Sequence, residues 1–136
     1  MKDQPTSEEL GKATLAVVDD EPFICDIVVR SLSSAHKVEA FPNEVELYDA
    51  LERGARFDVL LCDLMLAGVT GRKVYETVLE RWPEQAPRIV FMSGITTDNA
   101  RSGILEGIEN PMIEKPFRLK VLRQRVAELL ESEGRI

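Results

Sequence analysis

The side chains able to do chemistry in this 136-residue chain sit directly behind short apolar runs. The stretch Ala16-Val17-Val18-Asp19-Asp20-Glu21-Pro22-Phe23 drives an apolar run into three consecutive carboxylates and stops it with proline. Neighbouring like charges repel, and more strongly near a buried strand end, where the dielectric falls. A surface loop carries Asp-Asp-Glu at little cost, so the cluster has meaning only if distant parts of the chain supply a partner. Three further runs end in a comparable way: Leu61-Cys62 leads into Asp63, Phe91-Met92 into Ser93-Gly94, and Met112-Ile113 into Glu114-Lys115-Pro116-Phe117. Singly, an Asp after a strand is more often a turn or cap residue, a Ser-Gly more often a turn, and a lone Lys more often solvated. Gathered on one rim they form a chemical set. Clustered carboxylates are hard oxygen ligands whose repulsion a divalent cation suppresses, and Mg²⁺ is the usual choice beside phosphate. One carboxylate can then attack phosphorus to give an aspartyl phosphate. The cation, an ammonium and a hydroxyl would hold the charge of the phosphoryl oxygens. On this reading Asp19 and Asp20 hold the metal that Asp63 needs.

Convergence requires a particular order of elements. Short β-rich runs cover Thr14–Val18, Val38–Phe41, Val59–Cys62, Ile89–Met92 and Pro111–Ile113. Helical patterns lie between them. Ile24, Ile27, Val28 and Leu32 follow i, i+3, i+4, i+8; Leu47, Ala50 and Leu51 repeat the spacing behind an Asn43/Glu46 capping pair. Tyr75, Val78, Leu79 and Trp82 form a third stripe, stopped by Pro83. A weaker fourth helix is expected over about 98–106 with Gly107 as its stop, and Leu119, Leu122, Val126 and Leu129 make the last stripe. Five strands alternating with five helices predict an α/β domain with a parallel sheet and helices on both faces. The continuously apolar runs suit central strands, and Glu39 suits an edge. In such sheets ligands bind beyond the carboxyl ends of the strands. Residues 1–13 read as a polar tail or linker, 14–131 as the domain, and 132–136 as a short tail.

The length suits one domain with a single sizeable core. A net charge of −7 argues against nucleic acid or anionic membrane as a direct partner. No apolar run approaches the ~18–20 residues that cross a bilayer, and the polar start lacks the apolar core of a signal peptide. Cys25 and Cys62 both fall in apolar runs, which predicts free buried thiols and a cytoplasmic setting. His36, in a polar connection, is expected to be a solvated loop residue.

The chain resembles the receiver domain of two-component response regulators over roughly residues 14–131. The likeness rests on Val18-Asp19-Asp20-Glu21-Pro22, on Asp63 followed eight residues later by Gly71, on Ser93-Gly94, and on Lys115-Pro116-Phe117. It implies a flavodoxin-like doubly wound (βα)₅ fold with sheet order 2-1-3-4-5; a chemotaxis receiver is the standard example of that order. By the resemblance, Asp63 is the phosphoacceptor, served by a phosphohistidine on a sensor histidine kinase or histidine phosphotransfer protein. The same resemblance makes Asp20 the closer Mg²⁺ ligand, Asp19 a ligand through water, and the Met65 carbonyl the last protein ligand. It pairs Lys115 with Asp63 before transfer and with the phosphoryl group afterwards, and has Ser93 swing onto a phosphoryl oxygen. It also implies a cis Lys115-Pro116 bond, a module rather than an enzyme, and homodimerisation through the fourth helix, fifth strand and fifth helix.

Several positions depart from the family pattern. Ala67 replaces a frequent proline, which is expected to loosen the loop after Asp63 slightly without touching the chemistry. Met112 stands where many receivers carry a switching aromatic and cannot move a hydroxyl between buried and exposed states. Gly103 softens the fourth helix by about 1 kcal/mol relative to alanine. Met65 and Ile95 flank the expected path of a hydrolytic water that neither can orient, which predicts slow self-dephosphorylation. A pseudo-receiver, an interaction module without phosphotransfer, is the alternative, and it predicts loss of Asp20, Asp63 or Lys115, all of which are present. A flavin-binding relative of the fold would need a phosphate loop where Asp19-Asp20-Glu21 stands. A small-molecule phosphatase would need a P-loop or a second Asp two residues after Asp63. The run 110–117 also looks like the C-terminal receivers of hybrid sensor histidine kinases, and that origin is favoured over a stand-alone regulator.

Overall fold

In the computed structural model, which describes residues 13–94, 103–115 and 118–132, the apolar runs pair side by side. The strands are β1 (Thr14–Val18), β2 (Lys37–Phe41), β3 (Val59–Asp63), β4 (Met65–Leu66), β5 (Val69–Thr70), β6 (Ile89–Ser93) and β7 (Met112–Glu114). The helices are α1 (Pro22–Leu32), α2 (Glu44–Glu52), α3 (Gly71–Arg81) and α4 (Leu119–Ser132). Five strands form one parallel sheet in the order β2-β1-β3-β6-β7, which is the expected 2-1-3-4-5 order once the short β4–β5 hairpin is set aside.

Side chains alternate across each strand, and both faces are covered. Ala16, Val18, Leu60, Cys62, Ile89 and Phe91 face α2 and α3, where Leu47, Leu51, Val74 and Val78 meet them. Leu15, Val17, Val59, Leu61, Val90 and Met92 face α1 and α4, against Val28, Leu32, Leu122 and Val126. Burial on both sides is why these strands read as unbroken apolar runs. β2, at the edge, is mostly exposed and carries Glu39 outward. Cys25 and Cys62 are free thiols in the two opposite layers, so the sheet itself separates them. Burial pushes the thiol pKa of both upward.

Four expectations are corrected. The segment after Asp63 is not a plain loop but the β4–β5 hairpin, turned by Gly68 at φ 81. The last strand begins at Met112 rather than Pro111; proline has no N–H for the ladder, although its carbonyl accepts from Phe91 N at 2.9 Å. His36 is not a solvated loop residue, because its Nδ1 accepts a 3.0 Å hydrogen bond from Ala13 N and burial lowers its pKa. Finally, the buried stripes run through Val74 and Val78 in α3 and through Leu122, Val126 and Leu130 in α4, leaving Leu79 and Leu119 exposed. Most of the expected fourth helix lies outside the described residues. Gly103 and Ile104 are helical, and Gly107 ends the turn at φ 80. The expected tail residues 1–12 and 133–136, the Pro116 peptide bond, Phe117 and Ile95 also lie outside them.

Candidate functional site

Strand parity and register decide which side chains meet. Asp19 and Asp63 extend the α1/α4-facing positions of β1 and β3, and Val18 pairs with Cys62, so the two carboxylates leave the sheet beside each other on one face. Lys115 follows β7 with the parity of Ile113, on that same face. Its backbone N–H donates to the Ser93 carbonyl at 2.7 Å, which holds it at the carboxyl edge.

The side chains converge accordingly. Lys115 Nζ lies 2.7 Å from Asp19 Oδ2, 3.3 Å from Asp63 Oδ2 and 3.7 Å from Glu21 Oε1. Asp19 is fully buried and Asp63 nearly so, whereas Asp20 is exposed. One carboxylate oxygen from each of the three lies within 4.8 Å of the others. Met65 N–H donates to Asp63 Oδ1 at 3.2 Å, while the Met65 side chain is exposed. Ser93 is buried at the end of β6. A pocket of about 240 Å³ opens above these groups, lined by Glu21, Asp63, Leu64, Met65, Ser93, Gly94 and Lys115.

The electrostatics follow from burial and neighbours. Desolvation, joined by the Asp19 charge, raises the Asp63 pKa above the usual aspartate value, although the Met65 N–H and Lys115 pull the other way. Burial works against the Lys115 ammonium, yet the hydrogen bond and charge of Asp19, followed by Asp63, outweigh it and raise its pKa. Lys115 therefore stays charged across the neutral range. One ammonium against three gathered carboxylates leaves two negative charges unmatched, and all the donors are hard oxygens. That donor set fits Mg²⁺.

Two contributors went unassigned at the level of sequence. Glu21 lines the pocket, and its only signal was being the third acid of Asp-Asp-Glu. Gly71 matters for a reason spacing alone does not reveal: a Cβ there would meet Asp63 O and Leu64 Cα at 3.0 Å and Phe91 Cδ1 at 3.1 Å. Its N–H donates to Leu64 O at 2.6 Å, so the backbone carrying Asp63 rests on the start of α3.

Comparisons with known proteins agree with this fold. The hydrogenase transcriptional regulatory protein HoxA of Cupriavidus necator is 32% identical over 123 residues, 90% of this chain and 25% of HoxA. The sensor kinase CckA of Brucella abortus is 26% identical over 125 residues, 90% of this chain and 13% of CckA. The chain thus spans a quarter or less of these two relatives. Among solved structures, the BeF₃-activated receiver domain of DrrB, a Thermotoga maritima protein, superposes with a TM-score of 0.73 at 26% identity, covering 88% of this chain and 98% of that one. The family model described as response regulator receiver domain matches residues 15–127, nearly the whole described sheet and its acidic rim, and the chain belongs to that family.

Proposed function

We propose that this receiver accepts a phosphoryl group on Asp63 from a phosphohistidine of a sensor histidine kinase or histidine phosphotransfer protein. The observation that carries the reading is Lys115 Nζ held between Asp19 and Asp63, 2.7 and 3.3 Å away, beneath an open pocket. An Asp63 carboxylate oxygen forms the new O–P bond as the P–N bond of the donor imidazole breaks, its electron pair staying on that nitrogen. The Lys115 ammonium is within a short swing of phosphoryl oxygens on Asp63, and the Ser93 hydroxyl, at the pocket wall, donates to one of them. Asp19, Asp20, Asp63 and the Met65 carbonyl would hold Mg²⁺, which would supply the positive charge that lets anionic donor and acceptor approach. The output is a change of surface rather than turnover of a substrate, as befits a signalling module of two-component systems.

The domain occupies residues 14–131 in this reading, with 1–13 and 132–136 as connections. The likeness to CckA favours the receiver of a hybrid kinase, and the likeness to HoxA favours the receiver of a transcriptional regulator. In this reading the domain works in the cytoplasm. No described helix is long and apolar enough to cross a membrane. Homodimerisation would use the 98–106 segment, β7 and α4.

Incubation with Mg²⁺ and acetyl phosphate, followed by intact mass, tests the function. A gain of one phosphoryl group that is absent in Asp63→Asn supports it. An unlabelled parent chain refutes it in favour of a pseudo-receiver.

A further inference from the structure

Glu21 is the N-cap residue of α1, at φ −94 and ψ 109, with Pro22 behind it and no side-chain capping hydrogen bond. Its carbonyl accepts from Ile24 N and Cys25 N at 3.0 and 3.2 Å, and its N–H donates to Asp19 Oδ1 at 2.9 Å, so the backbone is fixed. Short side chains such as Asp or Ser cap helices well, because their oxygens reach back to the first turn. The Glu21 carboxylate is instead turned across the pocket, 3.7 Å from Lys115 Nζ. The Glu21 side chain is 63% exposed, against 12% for Lys115 and 8% for Asp63, so it stands at the mouth with both of them below it. A pair so exposed adds little stability. What it does add is a field at the entrance.

The charge balance shows the sign. Asp19, Asp20 and Asp63 would be matched by the Lys115 ammonium and one bound divalent cation, which leaves Glu21 as the surplus negative charge. We infer that Glu21 is a specificity-determining residue of the phosphoacceptor pocket, repelling free anionic phosphodonors so that phosphorus arrives mainly from a phosphohistidine carried by a protein. A protein donor can bring its own cations to the mouth, and a small free anion cannot. The inference rests on Asp63 being the phosphoacceptor.

Small donors of different charge separate this role from a structural one. With acetyl phosphate, a dianion at neutral pH, the Asp63 oxygen forms an O–P bond and acetate leaves with the electron pair of the broken P–O bond. With phosphoramidate, a monoanion whose nitrogen is already protonated, the P–N bond breaks and ammonia leaves. One unit charge about 6 Å away, screened as in bulk water at the open mouth, is worth about threefold in rate for a monoanion, and about tenfold for a dianion. Time courses by intact mass at saturating Mg²⁺ should therefore show Glu21→Gln labelled about threefold faster by phosphoramidate and about tenfold faster by acetyl phosphate. Both gains should shrink as salt rises from about 0.05 to 0.5 M. Glu80→Gln, an exposed acid on α3 outside the pocket lining, should match the parent and exclude a net-charge effect. Equal or slower labelling of Glu21→Gln, or one gain common to both donors, overturns the inference while leaving the phosphoacceptor assignment intact. A parent chain that takes label from neither donor overturns both.

Discussion

The Lys115 ammonium is bound more closely to Asp19, at 2.7 Å, than to Asp63, at 3.3 Å. Asp19 has no solvent exposure, and that ammonium is its counter-charge. Asp63 is the looser partner, and it lines an open pocket. The same lysine thus neutralises a buried carboxylate and stays within reach of a group newly placed on Asp63.

Removing Lys115 should therefore destabilise the fold in the absence of divalent cations. Lys115→Ala leaves Asp19 buried without its counter-charge, a loss of about 3 kcal/mol for a broken buried pair. Urea denaturation in EDTA should show it, and added Mg²⁺ should recover more stability in the variant than in the parent. An unchanged midpoint in EDTA would mean that the pair contributes nothing.

Asp63→Asn should act in the opposite direction. Its pKa is raised chiefly by desolvation, so the folded state holds the proton more tightly than the unfolded state does. The stability tied to that proton is complete below the unfolded aspartate pKa and is lost as pH rises through the folded value. At neutral pH the carboxylate is a net burden, and the amide should raise the melting temperature without Mg²⁺. The advantage should vanish in acid, and a variant that melts lower than the parent at neutral pH contradicts the account.

Gly71→Ala tests the support beneath Asp63. The added methyl would press on backbone atoms of Asp63 and Leu64 at 3.0 Å, which cannot rotate away as a side chain could. We expect a loss of about 1–3 kcal/mol, the range for overpacking, together with slower labelling of Asp63. Wild-type stability and labelling would show that the loop yields freely.

His36 sets a pH dependence far from the pocket. Its Nδ1 accepts from Ala13 N, and burial lowers its pKa despite the nearby Asp58. The unfolded chain then binds the proton more readily, so stability is complete above the unfolded histidine pKa, near 6.5, and falls as pH drops through the lower folded value. Chemical denaturation across this range should show that slope in the parent and a flatter one in His36→Gln. Parallel slopes would remove His36 as the cause.

These results also show what could be read before folding. The sheet order was legible because β1, β3 and β6 are covered on both faces and so appear as unbroken apolar runs, each ending in Asp or Ser. Asp19, Asp63 and Lys115 could be gathered from strand ends alone, since parity and register then place them on one face. The role of His36 could not, because its acceptor atom serves a backbone donor 23 residues away. The hairpin after Asp63 was hidden by its two-residue strands, too short to show alternation, and Leu79 was misplaced because Val74 and Val78 outcompete it for the core. Glu21 was given no role because the last acid of Asp-Asp-Glu reads as a solvated surface charge until its side chain is seen turned toward Lys115.

The lifetime of the phosphorylated state should follow from Met65. Its N–H is committed to Asp63 Oδ1, and its exposed side chain borders both the Asp63 pocket and the adjoining groove of Leu66, Gly68, Val69, Thr70 and Lys73. Hydrolysis of an aspartyl phosphate needs a water aligned with phosphorus, and an oriented hydrogen-bonding side chain commonly accelerates such steps by a hundredfold or more, about 10²–10⁴ for full acid–base assistance. A thioether accepts only weak hydrogen bonds and donates none. The parent phosphoprotein should therefore persist for minutes or longer at neutral pH with Mg²⁺, and Met65→Asn, which offers an amide at the pocket rim, should shorten that lifetime by about tenfold, less than full assistance because an amide orients water without taking its proton. Decay followed by intact mass after removal of the donor measures both. Loss of the phosphoryl group from the parent within seconds, or an equal lifetime in Met65→Asn, would show that the water is positioned by some other group.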